Sequence, residues 1–197
     1  MVDGRHVDFL YRDLGAVRTA VEDCFAGHVK ALYQLGHPMG FQSQIYLGQL
    51  ASRRPLFDPM GAIAAPKSKV GKYSEALRVA LIHKHLFDAI FEAELARKPA
   101  ERGDVMLVAG CLFRAAGFLT LVLYAMNRRY WINDKGAFLE SRRFRKRPPR
   151  FHATVARVLG KPGRRPAELR AGVESMLKLA RELGRINRVE VELGTNR

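Results

Sequence analysis

The segment that decides the fold is "GDVMLVAGCLFRAAGFLTLVLYAMNRR", Gly103 to Arg129. Within it, Val105 to Met126 is a long apolar run with a single charge, Arg114. A helix of this kind either spans a bilayer or forms the buried centre of a helical bundle. A central arginine costs about 2.5–3.5 kcal/mol on insertion scales. The sequence therefore favours a buried bundle helix with no membrane contact, in which Arg114 needs a partner such as Asp58 or Asp104.

Segments on either side of this run have the spacing of amphipathic helices. "KYSEALRVALIHKHLFDAIFEAELARK", Lys72 to Lys98, has an apolar face and a candidate N-cap at Ser74. "PAELRAGVESMLKLARELGRI", Pro166 to Ile186, begins with proline, which is favoured in a first helical turn. The apolar faces of these helices need burial against one another. The sequence therefore predicts a predominantly α-helical bundle over residues 66–197.

The first third of the chain predicts part of a small mixed sheet. "GRHVDFLYRD", Gly4 to Asp13, and "IYLGQLA", Ile45 to Ala51, alternate apolar and polar side chains as strands do. Between them, residues 14–25 have helical spacing after a candidate N-cap at Asp13. The predicted class is α+β, with a partial sheet domain over residues 1–65 that precedes the bundle.

The chain is strongly basic. Its 34 Lys and Arg residues outnumber its 19 Asp and Glu residues, which gives a formal net charge of +15 and predicts attraction to polyanions. Much of the excess lies in "RRFRKRPPR", Arg142 to Arg150, and "KPGRR", Lys161 to Arg165. Residues 142–165 are interpreted either as a surface that follows nucleic-acid phosphates or as a solvated linker. Only Phe144 and Phe151 are placed to stack on bases.

The cysteine and histidine residues give no metal-ligand pattern. Cys24 and Cys111 have no metal-type spacing and no disulfide framework. Together with a polar N-terminus unlike a signal peptide, they predict a cytoplasmic protein. His83 and His85 are two residues apart on a predicted helix, so they point to different faces and are expected at the surface or in a groove.

Asp8 is the most informative acidic residue. An acid in the middle of a buried strand is costly unless something positive lies against it. One interpretation is an ion pair with a neighbour such as Arg5 or Arg12. The other is a metal ligand, because an aspartate on a central strand beside other carboxylates is how two-metal phosphoryl-transfer sites are built.

Five stretches of the first 137 residues follow one another in a distinctive order. They are "VDGRHVDFLYRDL", "GHPMGF", "IYLGQLASRRPLFDP", "RGDVMLVAGCLFRA" and "LYAMNRRYWINDKGA". In this order they resemble bacterial nucleotidyltransferases of the DNA polymerase β-like superfamily, and most of all the kanamycin nucleotidyltransferase-like and minimal nucleotidyltransferase group. The resemblance implies the C-terminal half of a small mixed-sheet catalytic domain followed by a helical bundle.

The resemblance also implies an activity. Members of the superfamily transfer a nucleoside monophosphate from an NTP to a hydroxyl-bearing acceptor, with Mg²⁺ held by three carboxylates. Asp8 within "VDFLY" matches the third of these, so it is the expected catalytic and metal-binding residue. The Gly-Ser signature and Asp-x-Asp that carry the other two are absent from the 197 residues. This chain alone is therefore expected to be weak or inactive.

Other residues are candidates for supporting roles that follow from the resemblance. Lysines at the passage from sheet to bundle match the region near the triphosphate, with a solvated hinge as the alternative: Lys67, Lys69 and Lys72. A loop residue and a polar set in the bundle are candidate acceptor-binding residues, with ordinary loop or helix-capping roles as the alternative: His37, Asn127, Asn133, Asp134 and Lys135.

A second function belongs to a different class. The basic segments also fit a non-catalytic module that binds nucleic acid or a partner protein. The acceptor, the NTP and the oligomeric state are not specified by the sequence.

Overall fold

The computed structural model of the chain describes residue 1 and residues 3–191. These residues form a mainly helical protein with one small antiparallel sheet, so the α+β class with a helical bundle is confirmed in its coarse form. In chain order the elements are α1 (Leu14–Phe25), β1 (Ala31–Leu32), β2 (Phe41–Gln42), α2 (Ile45–Ser52), α3 (Ala64–Lys69), α4 (Glu75–Leu95), α5 (Arg97–Arg102), α6 (Val105–Met126), α7 (Ala137–Glu140), a 3₁₀ turn (Ser141–Arg143), α8 (Phe151–Gly160) and α9 (Pro166–Asn187).

The core of the bundle lies where α4, α6 and α9 pack together. The largest buried side chains on α9 recur every seven residues, which gives the helix one apolar stripe. Helix α8 closes the side of the bundle through Phe151, which is fully buried. The three main helices contribute the following fully buried side chains: Leu77, Ile82, Leu86, Leu112, Leu119, Leu123, Leu169, Met176 and Leu183.

Helix α6 has the predicted bounds and lies inside the bundle. Fourteen of its 22 residues are buried, so its apolar surface is covered largely by protein. By length and composition it is also the one helix among the described residues that could cross a membrane, and 56% of its most apolar window is buried. Arg114 is not the buried residue that the sequence predicts: its side chain is 45% exposed and pairs with Glu92 at 2.5 Å, and neither Asp58 nor Asp104 is its partner.

Three of the predicted helix starts are confirmed. The Asp13 carboxylate accepts the Ala16 N–H at 2.6 Å, and the Ser74 hydroxyl accepts the Leu77 N–H at 3.2 Å. Each bond satisfies one of the backbone donors that a helix leaves unpaired in its first turn. Pro166 is the first residue of α9, as its fixed φ favours.

The strand predicted for Gly4–Asp13 is wrong. Residues 6–13 are in no helix or strand, and the only sheet among the described residues consists of β1 paired with β2 in the register Ala31 to Gln42 and Leu32 to Phe41. A strand exists only where a neighbouring strand completes its backbone hydrogen bonds. Nothing in the described part of the chain supplies that neighbour for residues 6–13.

The strand predicted for Ile45–Ala51 is also wrong, because this segment is helix α2. Ile45, Leu47 and Gly48 are buried together. The Gly48 Cα lies so close to the Trp131 carbonyl that a Cβ there would be 2.6 Å from its oxygen. This close approach fixes α2 against the residues that follow α6. A run of seven residues is too short for alternation alone to separate strand from helix.

Candidate functional site

Asp8 lies in the exposed segment before α1, which is in no helix or strand. It has no salt bridge to any residue that the structure describes, so the expected pairing with Arg5 or Arg12 does not occur there. Within the described ranges no group of three or more His, Cys, Asp or Glu side chains is arranged to hold a metal ion. Asp8 is thus accessible to a metal or to another polypeptide, and it stands alone.

The three candidate lysines have different surroundings. The Lys67 ammonium donates to the carbonyls of Leu50 and Arg53 at 3.0 and 2.6 Å, which ties α3 to the end of α2. The Lys69 ammonium lies 5.2 Å from the centre of the Phe25 ring, a cation–π contact. Lys72 is exposed just before α4. Lys67 therefore stabilises the backbone at the end of α2, whereas Lys69 and Lys72 are exposed charges just before α4.

His37 and Asp134, far apart in sequence, come together. Asp134 Oδ2 accepts the backbone N–H of Met39 at 3.4 Å, which holds the loop that contains His37 against the segment after α6. The Met39 side chain packs on Gly117 of α6, where a Cβ would collide with its sulfur. Two of the predicted acceptor-binding residues therefore share one edge of the bundle.

Beside Asp134 there is a mainly apolar cavity of about 290 Å³. Burial raises the pKa of the Asp134 carboxyl, while the Met39 N–H and the charge of His37 oppose that shift. A carboxylate at the rim of an apolar cavity is suited to a ligand with an apolar body and a hydrogen-bond donor. The cavity walls include Met39, Phe113, Thr120, Trp131, Phe138 and Leu159.

Asn133 and Lys135 belong to the same turn as Asp134. The Asn133 side-chain oxygen accepts the Lys135 backbone N–H at 2.8 Å, so Asn133 shapes the turn. It does not cap a helix, because α7 begins at Ala137 after Gly136, whose φ of 76° suits glycine. The Lys135 side chain is exposed at the surface.

Asn127 lies apart from this group and ties two chain segments together. Its side-chain NH₂ donates to the carbonyls of Leu123 and Lys146 at 2.8 and 2.7 Å. Its side-chain oxygen accepts the Lys146 N–H at 2.9 Å. Asn127 therefore caps the C-terminal end of α6, as its alternative role predicts, and also fastens the basic segment to it.

A buried histidine was missed by the sequence analysis. His85 is fully buried, not at the surface or in a groove, and stacks on Phe118. Its Nδ1 lies 3.3 Å from the Asp88 carboxylate and its Nε2 lies 3.4 Å from the Gln44 side-chain nitrogen. With the Gln44 nitrogen as the donor, the ring is neutral, donates from Nδ1 and accepts at Nε2. Lys84 completes the group through its ion pair with Asp88 at 2.7 Å.

The pKa values within this buried group follow from its geometry. Burial lowers the pKa of His85, and the hydrogen bond to Asp88 only partly opposes it. Burial acts to raise the pKa of Asp88, but the hydrogen bonds from His85 and Lys84 outweigh burial and lower it. The only sequence signal for this group is the spacing of Lys84, His85 and Asp88, which places Lys84 and His85 within one turn of the acid.

The chain matches no protein-family model, no curated protein and no solved structure.

Proposed function

We propose that this chain is part of a nucleotidyltransferase that transfers a nucleoside monophosphate from Mg²⁺–NTP to a hydroxyl acceptor. In this proposal Asp8 is one of three metal-binding carboxylates, and the other two belong to polypeptide outside these 197 residues. In such a site Asp8 would supply oxygen ligands to Mg²⁺, which would neutralise charge on the triphosphate. A single carboxylate cannot hold the metal site without the other two, so the chain by itself is weak or inactive.

The proposal rests on the exposure of the apolar side chains in residues 4–13. Phe9 is 69% exposed and Tyr11 is 86% exposed, and Val7 and Leu10 are exposed as well. Large apolar side chains at alternate positions are typical of a strand with one face against a core. Their exposure supports an interface with a missing sheet. In a strand, Asp8 would point away from Val7, Phe9 and Tyr11.

The order of the five motifs is the second support, because it covers both the Asp8 segment and the α6 region. The remaining candidate residues fit this arrangement in part. Lys69 and Lys72 keep charges that suit the triphosphate. The cavity beside Asp134 suits the acceptor, since it is concave and mainly apolar with few polar groups.

The test begins with the DNA upstream of the Met1 codon, read in the same frame. The proposal expects an open frame that encodes a Gly-Ser followed by an Asp-x-Asp. A stop codon close upstream would contradict it, because the two missing carboxylates would then have no source in the same polypeptide.

A further inference from the structure

A concave basic site lies at the C-terminal end of α6, where the basic segment folds back on the bundle. It has a volume of about 340 Å³, and no acidic residue lines it. We call it the basic cavity. Its walls are Met126, Asn127, Arg128, Arg129, Arg143, Phe144, Arg145 and Lys146.

The charges of the basic cavity are mostly unpaired. Arg128 forms an ion pair with Glu75 at 2.9 Å. The four other cations that line the basic cavity form no ion pair with any residue that the structure describes: Arg129, Arg143, Arg145 and Lys146. The C-terminal end of a helix contributes only about half a negative charge. A large positive excess therefore remains.

The backbone that carries these cations is fixed in place. Asn127 makes hydrogen bonds to both the N–H and the carbonyl of Lys146. Phe144 is 7% exposed and packs edge-on against Tyr124 at 4.8 Å between ring centres. Pro148 is buried as well. A loop held in this way loses little further backbone freedom when an anion binds, which favours affinity.

The basic surface continues beyond the cavity. Arg147 and Arg150 follow along the chain, and a second concavity of about 240 Å³ between α8 and α9 is lined by Arg150, Arg157 and Lys178, with one acid, Glu182. An isolated phosphate needs one such site. Two basic concavities formed by neighbouring stretches of the chain suit a ligand with a row of phosphates.

The aromatic residues of this region cannot read bases. Phe144 is anchored on Tyr124, and Phe151 is fully buried in the bundle. The stacking role considered for them from sequence is therefore wrong, because a stacking residue must present its ring face to solvent. This surface can therefore bind a nucleic acid through charge but not through base stacking.

We propose that the basic cavity binds the phosphate backbone of a nucleic acid duplex, without base recognition, through Arg129, Arg143, Arg145 and Lys146. A duplex presents phosphates at fixed spacing and needs no base stacking. This site is separate from the proposed transferase site and does not depend on it.

The experiment is fluorescence anisotropy of the full chain with two duplexes of about 20 base pairs and different base composition, titrated between about 50 and 200 mM salt. We expect equal affinity for both duplexes within about twofold, and a steep salt dependence. The double substitution Arg145→Ala and Lys146→Ala is expected to weaken binding about tenfold or more and to reduce the slope by about two phosphate contacts.

The matched control removes two other exposed cations, Lys98→Ala and Arg102→Ala on α5, which form no ion pair within the described residues. It is expected to leave affinity and slope nearly unchanged. The side chains of Arg145 and Lys146 form no hydrogen bond with described residues, and the Asn127 bonds go to the Lys146 backbone, so the double variant keeps the fold, which its melting temperature verifies. An equal loss in the control, binding of inorganic phosphate or anionic lipid vesicles without duplex binding, or a strong preference for one duplex would each overturn the proposal.

Discussion

Residues 1–65 and residues 66–191 bury their apolar side chains to very different degrees. Of the forty buried apolar residues among those described, five lie in the first region and thirty-five in the second. Of the twenty-two large apolar residues that are exposed, twelve lie in the shorter first region. The second region therefore buries a far larger share of its apolar side chains than the first.

The difference shows what each region needs in order to fold. The helices of the bundle satisfy their backbone hydrogen bonds internally and require only an apolar face from their neighbours. A strand needs a partner for its backbone as well as for its side chains. Residues 6–13 have neither partner among the described residues, so they form no helix or strand and stay exposed, while α4, α6 and α9 form a core.

A matched pair of substitutions, one in each region, tests this difference in burial and has the largest expected effect. Phe151→Ala removes a fully buried ring from the bundle, and we expect a loss of about 3–5 kcal/mol in the free energy of unfolding, because a cavity remains. Phe9→Ala, the same change in the exposed segment, should cost no more than about 0.5 kcal/mol. Urea denaturation measures both. Similar losses for the two variants would contradict the division between the regions.

The buried His85 predicts how the stability of the bundle depends on pH. Because the fold lowers the pKa of His85, the unfolded chain binds a proton near pH 6.5 and the folded chain does not. Stability is therefore present at neutral pH and is lost as the pH falls below about 6.5, by up to about 1.4 kcal/mol per pH unit for this one group. Chemical denaturation at several pH values measures the slope.

The control for the pH effect is His85→Gln, which keeps a polar side chain without titration in this range. The slope of the unfolding free energy against pH should become shallower in this variant. It should not vanish, because burial and the nearby Arg147 and Arg142 also lower the pKa of His152. The groups that face His85 are Asp88, Lys84, Gln44 and Phe118, and none of them has an ordinary pKa near 6.5. An unchanged slope in the variant would rule out His85 as the cause.

A smaller effect is expected at the attachment of the basic segment. Asn127→Ala removes three side-chain hydrogen bonds, and we expect a loss of about 1–2 kcal/mol together with faster amide exchange in residues 143–147. Asn133→Ala, which removes a single bond in an exposed turn, should cost about 0.5 kcal/mol. Amide hydrogen exchange, followed residue by residue, measures the effect of Asn127→Ala on residues 143–147. If residues 143–147 exchanged equally fast in both variants, Asn127 would not be what holds the segment.

The bundle was predictable from sequence because its signals are local and repeated. Helix α6 has the predicted bounds, and Asp13, Ser74 and Pro166 begin helices where their side-chain chemistry places them. Each of these features depends on residues within a few turns of one another. Their positions therefore needed no knowledge of the remainder of the fold.

The sheet and the site were harder to predict, because both depend on distant residues. The alternation in residues 4–13 indicates a strand only if another strand lies beside it. The meeting of His37 with Asp134 and the attachment of Lys146 by Asn127 are contacts between separate segments, which spacing along the chain does not show. The exposure of Arg114 and the burial of His85 were missed because the rotation of each helix about its own axis decides which side chains face the core.

Whether Asp8 is a metal ligand is tested by the transfer of a labelled nucleoside monophosphate from Mg²⁺–NTP by the protein extended through its upstream reading frame. We expect transfer that Asp8→Asn lowers by more than about 100-fold at an unchanged melting temperature, because a metal ligand is lost. Asp3→Asn, the same change in the same segment, should leave the rate within about twofold, since asparagine tolerates the positive φ of that residue. Full transfer by the Asp8→Asn protein would contradict this role of Asp8.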